Sequence, residues 1–144
     1  MVKVLITGAA GYLGSTLTEV LLDRGYSVDA LDNLMYEQTS LLHLCSNKNF
    51  RFINTDVTNF KFLKSIIPTY DVIIPLAAIV GGPACDKNKE LATKVNFEQI
   101  KCIVDNITTE QKLIMPNTNS QYGSSSKVIT EDSPFNPLSH YALT

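Results

Sequence analysis

Short apolar runs alternate along this chain with stretches whose apolar residues recur every three or four positions. The runs occupy residues 2–7, 27–31, 50–54, 72–76 and 111–115, each the length of a strand buried on both faces. Between the first two, Leu13, Leu17, Val20 and Leu21 keep helical spacing, and Gly25 supplies the stop. A second helix is expected over 59–67, closed by Pro68. The longest spans 90–106, where Leu91, Val95, Ile103 and Ile107 share one side with Ile100 and Val104 beside them. A short helix is expected within 36–46, around Leu41, Leu42 and Leu44. Pro75 withdraws a backbone donor near the end of the fourth run and marks where the chain leaves the sheet for a cleft. From 117 to 139 the chain is rich in Ser, Asn, Thr and Pro, and reads as loop. Strand and helix in regular turn give an α/β fold. The expected architecture is a Rossmann-like parallel sheet with helices on both faces, ending after about five strands.

Composition narrows the partners rather than the fold. A chain of 144 residues has the length of one domain, with enough buried surface for a proper core. A net charge of -2 gives no basic field for nucleic acid or an anionic membrane, so neither is an expected partner. The apolar stretch at 72–80 is too short to cross a bilayer. The first residues enter a strand directly, without the basic region and cleavage site of a secretory signal. Cys45, Cys85 and Cys102 are odd in number and show no metal-ligand clustering. Buried structural thiols, a cytoplasmic location and no metal site are therefore expected.

Candidate chemistry gathers where the first strand meets the first helix. Gly8, Gly11 and Gly14 stand between them at a spacing that suits a phosphate-binding turn. Gly8 lets the backbone turn, Gly11 lets it approach a diphosphate, and Gly14 lets the helix pack on the strand. The helix then offers the diphosphate unpaired amides, from Tyr12 and Leu13 onward, and the positive end of its dipole. Asp32 lies 18 positions beyond Gly14, at the end of the second strand. A carboxylate there accepts hydrogen bonds from the adenosine ribose and repels a 2′-phosphate, which favours NAD over NADP. Asp56 and Val57 follow the third strand, a place either to meet the adenine ring or, through Asp56 or Thr58, to cap the next helix. The small residues of Leu76-Ala77-Ala78 allow close approach to a ribose, or simply pack a helix. Thr118 and Tyr141 are the candidate catalytic pair. A phenol titrates near pH ~10 and needs a nearby cation to serve as a base at neutral pH. On spacing alone Tyr141 fits better a packed aromatic with a bonded hydroxyl; His140 fits a surface or packing role, and neither it nor His43 has metal-site company.

These motifs, taken in order, resemble the extended short-chain dehydrogenase/reductase family, in its NAD-dependent epimerase/dehydratase branch acting on nucleotide sugars. Thr7-Gly8-Ala9-Ala10-Gly11-Tyr12-Leu13-Gly14 resembles the family's T-G-x-x-G-x-x-G turn, and Leu31-Asp32-Asn33-Leu34 its ribose-binding D-N-L. Leu76-Ala77-Ala78 resembles its L-A-A turn, Asn96 matches a structural asparagine, and Thr118 to Gly123 resembles the S/T-x-x-x-Y-G segment. The resemblance implies NAD as cofactor, with Gly8, Gly11, Tyr12, Leu13, Gly14, Asp32, Asn33, Asp56, Val57, Leu76, Ala77 and Ala78 as its binding residues. It implies that Tyr141 removes a proton from a sugar hydroxyl while Thr118 hydrogen-bonds the same oxygen. It also implies dimerisation through the helix at 90–106.

Three departures shape the expectation. The family's Y-x-x-x-K lysine falls one residue past Thr144. Residues 1–144 are therefore expected to be an incomplete NAD-binding Rossmann domain, the N-terminal part of a longer enzyme, inactive alone and lacking the substrate domain. A non-catalytic NAD-binding module is the alternative. Asn119-Ser120-Gln121 holds no carboxylate to protonate a leaving group, so epimerisation or oxidoreduction is expected over dehydration. Pro75 stands where many relatives have histidine.

Overall fold

The computed structural model describes residues 1–126 and 128–144; Lys127, inside the expected loop, lies outside the described residues. Five parallel strands form one sheet: Lys3–Thr7 (β1), Ser27–Asp32 (β2), Phe50–Asn54 (β3), Val72–Pro75 (β4) and Lys112–Leu113 (β5). Their order is β3-β2-β1-β4-β5, so the chain reverses direction across the sheet between β3 and β4. A crevice opens at that switch point, beyond the carboxyl ends of β1 and β4.

Alternation along the strands builds a core on each face. Val4, Ile6, Val28, Ala30 and Ile74 point to one side, where helix α1 (Tyr12–Asp23) packs through Leu17, Leu21 and Leu22. Leu5, Leu31 and Ile73 point to the other, against Leu63 of α2 (Phe60–Ile66) and Val95, Cys102 and Ile103 of the long helix. That two-sided burial is what the continuous apolar runs foretold. The long helix comprises Lys89–Thr93 (α4), a π-helical segment Lys94–Glu98 and Gln99–Val104 (α5), helical throughout at their junctions.

Several elements differ from the sequence expectation. Residues 36–46 yield only a 3-10 turn, Leu42–Leu44. Leu34 and Glu37 hold left-handed backbone (φ 54° at both), which no right-handed helix accommodates. A short helix α3 (Gly82–Lys87), with Pro83 in its first turn, was not foreseen. α2 ends at Ile66 with Ile67 as its C-cap, just before Pro68 as expected, but the chain continues into a 3-10 turn, Ile67–Thr69, that contains the proline. Pro75 is the last residue of β4, an interior strand. Leu76 N donates to Thr7 O at 2.9 Å, so alternation turns the proline nitrogen toward β5, beyond the paired residues Lys112 and Leu113. The described part of 117–139 is loop except for the 3-10 turn Asn119–Tyr122. A last turn of helix, His140–Leu143 (α6), docks on α4 through the His140 ring, 2.9 Å from Thr93 Oγ1 and 3.1 Å from Lys89 O. Cys85 and Cys102 are buried as expected, but Cys45 is exposed.

Candidate functional site

The glycine turn is shaped by what surrounds it. Gly8 has φ +68°, and a Cβ there would lie 2.5 Å from the backbone nitrogen of Ala77, so the turn presses directly on the chain leaving β4. Gly14 is buried against Gly8 and Ala9; a Cβ on it would come within 2.7 Å of Ala9 Cα. Gly11 occupies the N-cap of α1 and offers no side-chain acceptor. The amides of Tyr12, Leu13 and Gly14 thus open a 12-residue helix with no capping side chain. This is a positive helix end suited to an anion.

Asp32 lies against this turn. Its Oδ2 accepts from Ala10 N at 2.9 Å and its Oδ1 from Leu34 N at 2.8 Å, and the side chain is buried. One carboxylate therefore ties the end of β2 to the glycine turn. About half of a carboxylate's four lone-pair sites remain for hydroxyl donors. Asn33 donates through Nδ2 to Asp56 Oδ2 at 2.7 Å, joining the ends of β2 and β3. Asp56 Oδ1 accepts from the amide and hydroxyl of Thr58, at 2.8 and 2.7 Å. Burial pushes the Asp56 carboxyl up, but hydrogen bonds from Thr58 and Asn33 outweigh it and hold it below its ordinary value. Neither Asp56 nor Thr58 caps α2. Asn59 does, its side chain accepting from Phe62 N at 3.3 Å, because Asp56 is already folded onto Thr58 two residues on.

An open groove of about 610 Å³, mouth included, runs along this edge of the sheet. Gly8, Gly11, Asp32, Asn33, Asp56, Val57, Leu76, Ala77 and Ala78 all line it. Leu13 faces a second cleft of about 830 Å³ on the other side of Leu76-Ala77-Ala78, where Thr118 and Tyr141 also lie. Tyr12 stands almost fully in solvent at the start of α1, and Gly14 is beneath the turn. Thr118 Oγ1 donates to Ser120 Oγ at 3.1 Å and accepts from Ser120 N at 3.2 Å. The Tyr141 side chain is half-buried in the cleft wall.

Two polar side chains hold the wall between the clefts. Asn96 clasps Ile79, accepting from its amide at 2.8 Å and donating to its carbonyl at 3.1 Å, and reaches Thr144 Oγ1 at 3.2 Å. Gln99, fully buried, was missed by the sequence reading. It accepts from Thr7 Oγ1 at 2.7 Å and donates to Ala77 O at 3.0 Å and Val95 O at 2.8 Å. The signal available was a lone glutamine near the apolar stripe of the long helix. Among the described residues no cluster of three or more His, Cys, Asp or Glu side chains is placed to hold a metal. Among the described residues no helix is long and apolar enough to cross a membrane.

Comparison with known proteins bears on the family and the fold. The model of the NAD dependent epimerase/dehydratase family matches residues 4–144. The UDP-glucuronate 4-epimerase of Thermodesulfobacterium geofontis is 34% identical, over 97% of this chain and 47% of its own. A UDP-N-acetyl-alpha-D-glucosaminuronate decarboxylase of Bacillus cytotoxicus is 31% identical, over 90% of this chain and 40% of its own. The solved UDP-glucuronic acid 4-epimerase of Bacillus cereus, in complex with UDP-glucuronic acid and NAD, superposes with a TM-score of 0.86 at 29% identity, over 98% of this chain and 48% of that one. The chain spans about half the length of the curated relatives it matches.

Proposed function

The chain belongs to the NAD-dependent epimerase/dehydratase family, and from that premise we propose that it is the NAD-binding half of a nucleotide-sugar epimerase or related oxidoreductase. The observation that carries the reading is the Asp32 carboxylate on the amide of Ala10, at the mouth of an uncapped helix and on the wall of a groove. The residues fit a dinucleotide. Amides of Tyr12 and Leu13 would hold the diphosphate over a turn shaped by Gly11, whose own amide donates to Gly8 O at 3.1 Å, and by buried Gly14; Asp32 with Asn33 would hold the adenosine ribose. Asp56 and Val57 would flank the adenine, and the small Leu76-Ala77-Ala78 turn would admit the second ribose.

When bound, NAD supplies the two-electron acceptor for oxidation of a sugar carbon. Tyr141 would take the proton from the sugar hydroxyl and Thr118 would hydrogen-bond the same oxygen, both from the wall of the second cleft. No Lys or Arg lines that cleft among the described residues, and a tyrosine needs a nearby cation to serve as a base at neutral pH. The 144 residues alone are accordingly expected to bind NAD without turning over UDP-sugars. Pairing of two copies through the long helix, where Phe97 and Val104 stand exposed, belongs to the same reading and is checked by sedimentation.

Calorimetric titration with NAD tests the cofactor assignment. Asp32→Asn should weaken binding about tenfold or more, since a charge-assisted acceptor is lost. Equal affinity in both proteins would remove Asp32 from the ribose site. Epimer formation by the purified chain would overturn the expected inactivity.

A further inference from the structure

Gln38 stands out in the segment between β2 and the Leu42–Leu44 turn. Its Oε1 is sealed from solvent and has no hydrogen-bond partner among the described residues. A buried acceptor left unmatched is costly, and native proteins keep few of them. The side chain lies in the partition between the large groove, which it shares with Asp32, Asn33 and Asp56, and a smaller apolar pocket of about 350 Å³ walled by Leu41, Leu42, Phe50 and Phe52. Of the other side chains lining the apolar side, only the Thr39 hydroxyl and the Cys45 thiol are donors, and neither bonds to it.

The backbone around it is set rather than slack. Leu34 and Glu37 both hold φ 54°, and Ser40 Oγ donates to Ala10 O at 2.8 Å, anchoring the segment to the glycine turn. Such strained positions in non-glycine residues concentrate at ligand sites. We propose that Gln38 is a specificity residue for the dinucleotide: its amide turns into the groove and accepts a hydrogen bond from a hydroxyl of the adenosine ribose. The assignment rests on the cofactor reading above. No protein hydrogen bond of Oε1 is broken by the turn, which is a rotation about soft terminal side-chain torsions. The groove then presents Asp32, Asp56 and the Gln38 oxygen as acceptors at one end, matched to hydroxyl donors, and the two carboxylates repel a 2′-phosphate.

Gln38→Met keeps the length and apolar packing of the side chain and deletes the acceptor. It is compared with the unsubstituted chain by ligand-free thermal unfolding, and by titration with NAD, 2′-deoxy-NAD, 3′-deoxy-NAD and nicotinamide hypoxanthine dinucleotide. The expected result is an unchanged or higher melting temperature together with NAD binding weakened about fivefold to tenfold. The penalty should disappear for one of the two deoxy dinucleotides and persist for the hypoxanthine analogue. Unchanged NAD affinity overturns the assignment. So does a penalty equal across all four dinucleotides, or one that vanishes only without the adenine amine. Failure of the unsubstituted chain to bind NAD would instead remove the cofactor reading itself, and this inference with it.

Discussion

Single residues in this fold carry constraints of different kinds. Gly8 is needed twice over, for its positive φ and for the backbone of Ala77 pressed against it. Gly8→Ala should destabilise the chain by ~2–4 kcal/mol, read from the urea midpoint, because neither the strand end nor the turn can retreat. An unchanged midpoint would mean that the two segments are not locked together. Gln99 has no charge and no motif, yet it links Thr7, Ala77 and the long helix. Gln99→Leu would leave the Thr7 hydroxyl and the Ala77 carbonyl without their glutamine partner, at ~1–3 kcal/mol for each orphan. If leucine proved neutral or stabilising, both groups would have found other partners. The glycines and the place of Asp32 beside their turn were legible in the sequence because backbone geometry and the proposed ribose contact each demand a residue type at a fixed offset. Gln99 was not, since a glutamine among apolar neighbours reads as surface until the partners from two distant strands are known. Asp56 illustrates a third case, in which position was legible but role was not. Its carboxylate folds onto Thr58 and accepts from Asn33 instead of capping α2.

Whole elements were legible where periodicity was strong and were lost where backbone geometry overrode composition. The five runs became strands, with β5 reduced to a short pair. The leucines of 36–46 made no α-helix, because two left-handed residues precede them and only one turn's length remains. The long helix was found in place, but its register was not. Gln99 N donates to Lys94 O, a five-residue step that gives the Lys94–Glu98 segment one residue more than an α-helix would use. That extra residue lets Asn96 reach Ile79 while Gln99 reaches Thr7 and Ala77. Deleting the exposed Phe97 should restore α-helical register and swing one of the two side chains away by roughly 100°. The expected loss is at least ~2 kcal/mol, for an unmatched Ile79 amide or Thr7 hydroxyl. A deletion variant as stable as the parent would show that the π-helical segment has no part in positioning the wall between the clefts.

Across the whole molecule, stability is bounded in pH by two different networks, one at each end of the sheet strands. At the carboxyl edge, Asp56 is held below its ordinary value in the folded chain. Its contribution is complete above the unfolded carboxylate range, near pH ~4, and is lost as pH falls through the lower folded value. On the sheet face below α2, buried Asp29 of β2 accepts from the Tyr70 hydroxyl at 2.6 Å and from Arg51 of β3, with Lys3 of β1 at 3.5 Å. Burial, then the hydrogen bond to Asp29 and its charge, raise the Tyr70 phenol well above its ordinary value, and Arg51 only partly offsets them. Below pH ~10 both folded and unfolded chains keep that proton, and the full contribution stands. Above it the unfolded chain gives the proton up first, so stability falls by up to ~1.4 kcal/mol per pH unit from this group alone. Tyr70→Phe should lower stability at neutral pH by ~1.5–3 kcal/mol through the lost bond to a charged acceptor, and should make the decline between pH ~9.5 and 11 shallower. Urea unfolding across that range, for both proteins, reads the difference in slope. Parallel curves would show that Tyr70 ionises as readily in the folded chain as in the unfolded one. The three-strand network around Asp29 would then have no share in the alkaline limit.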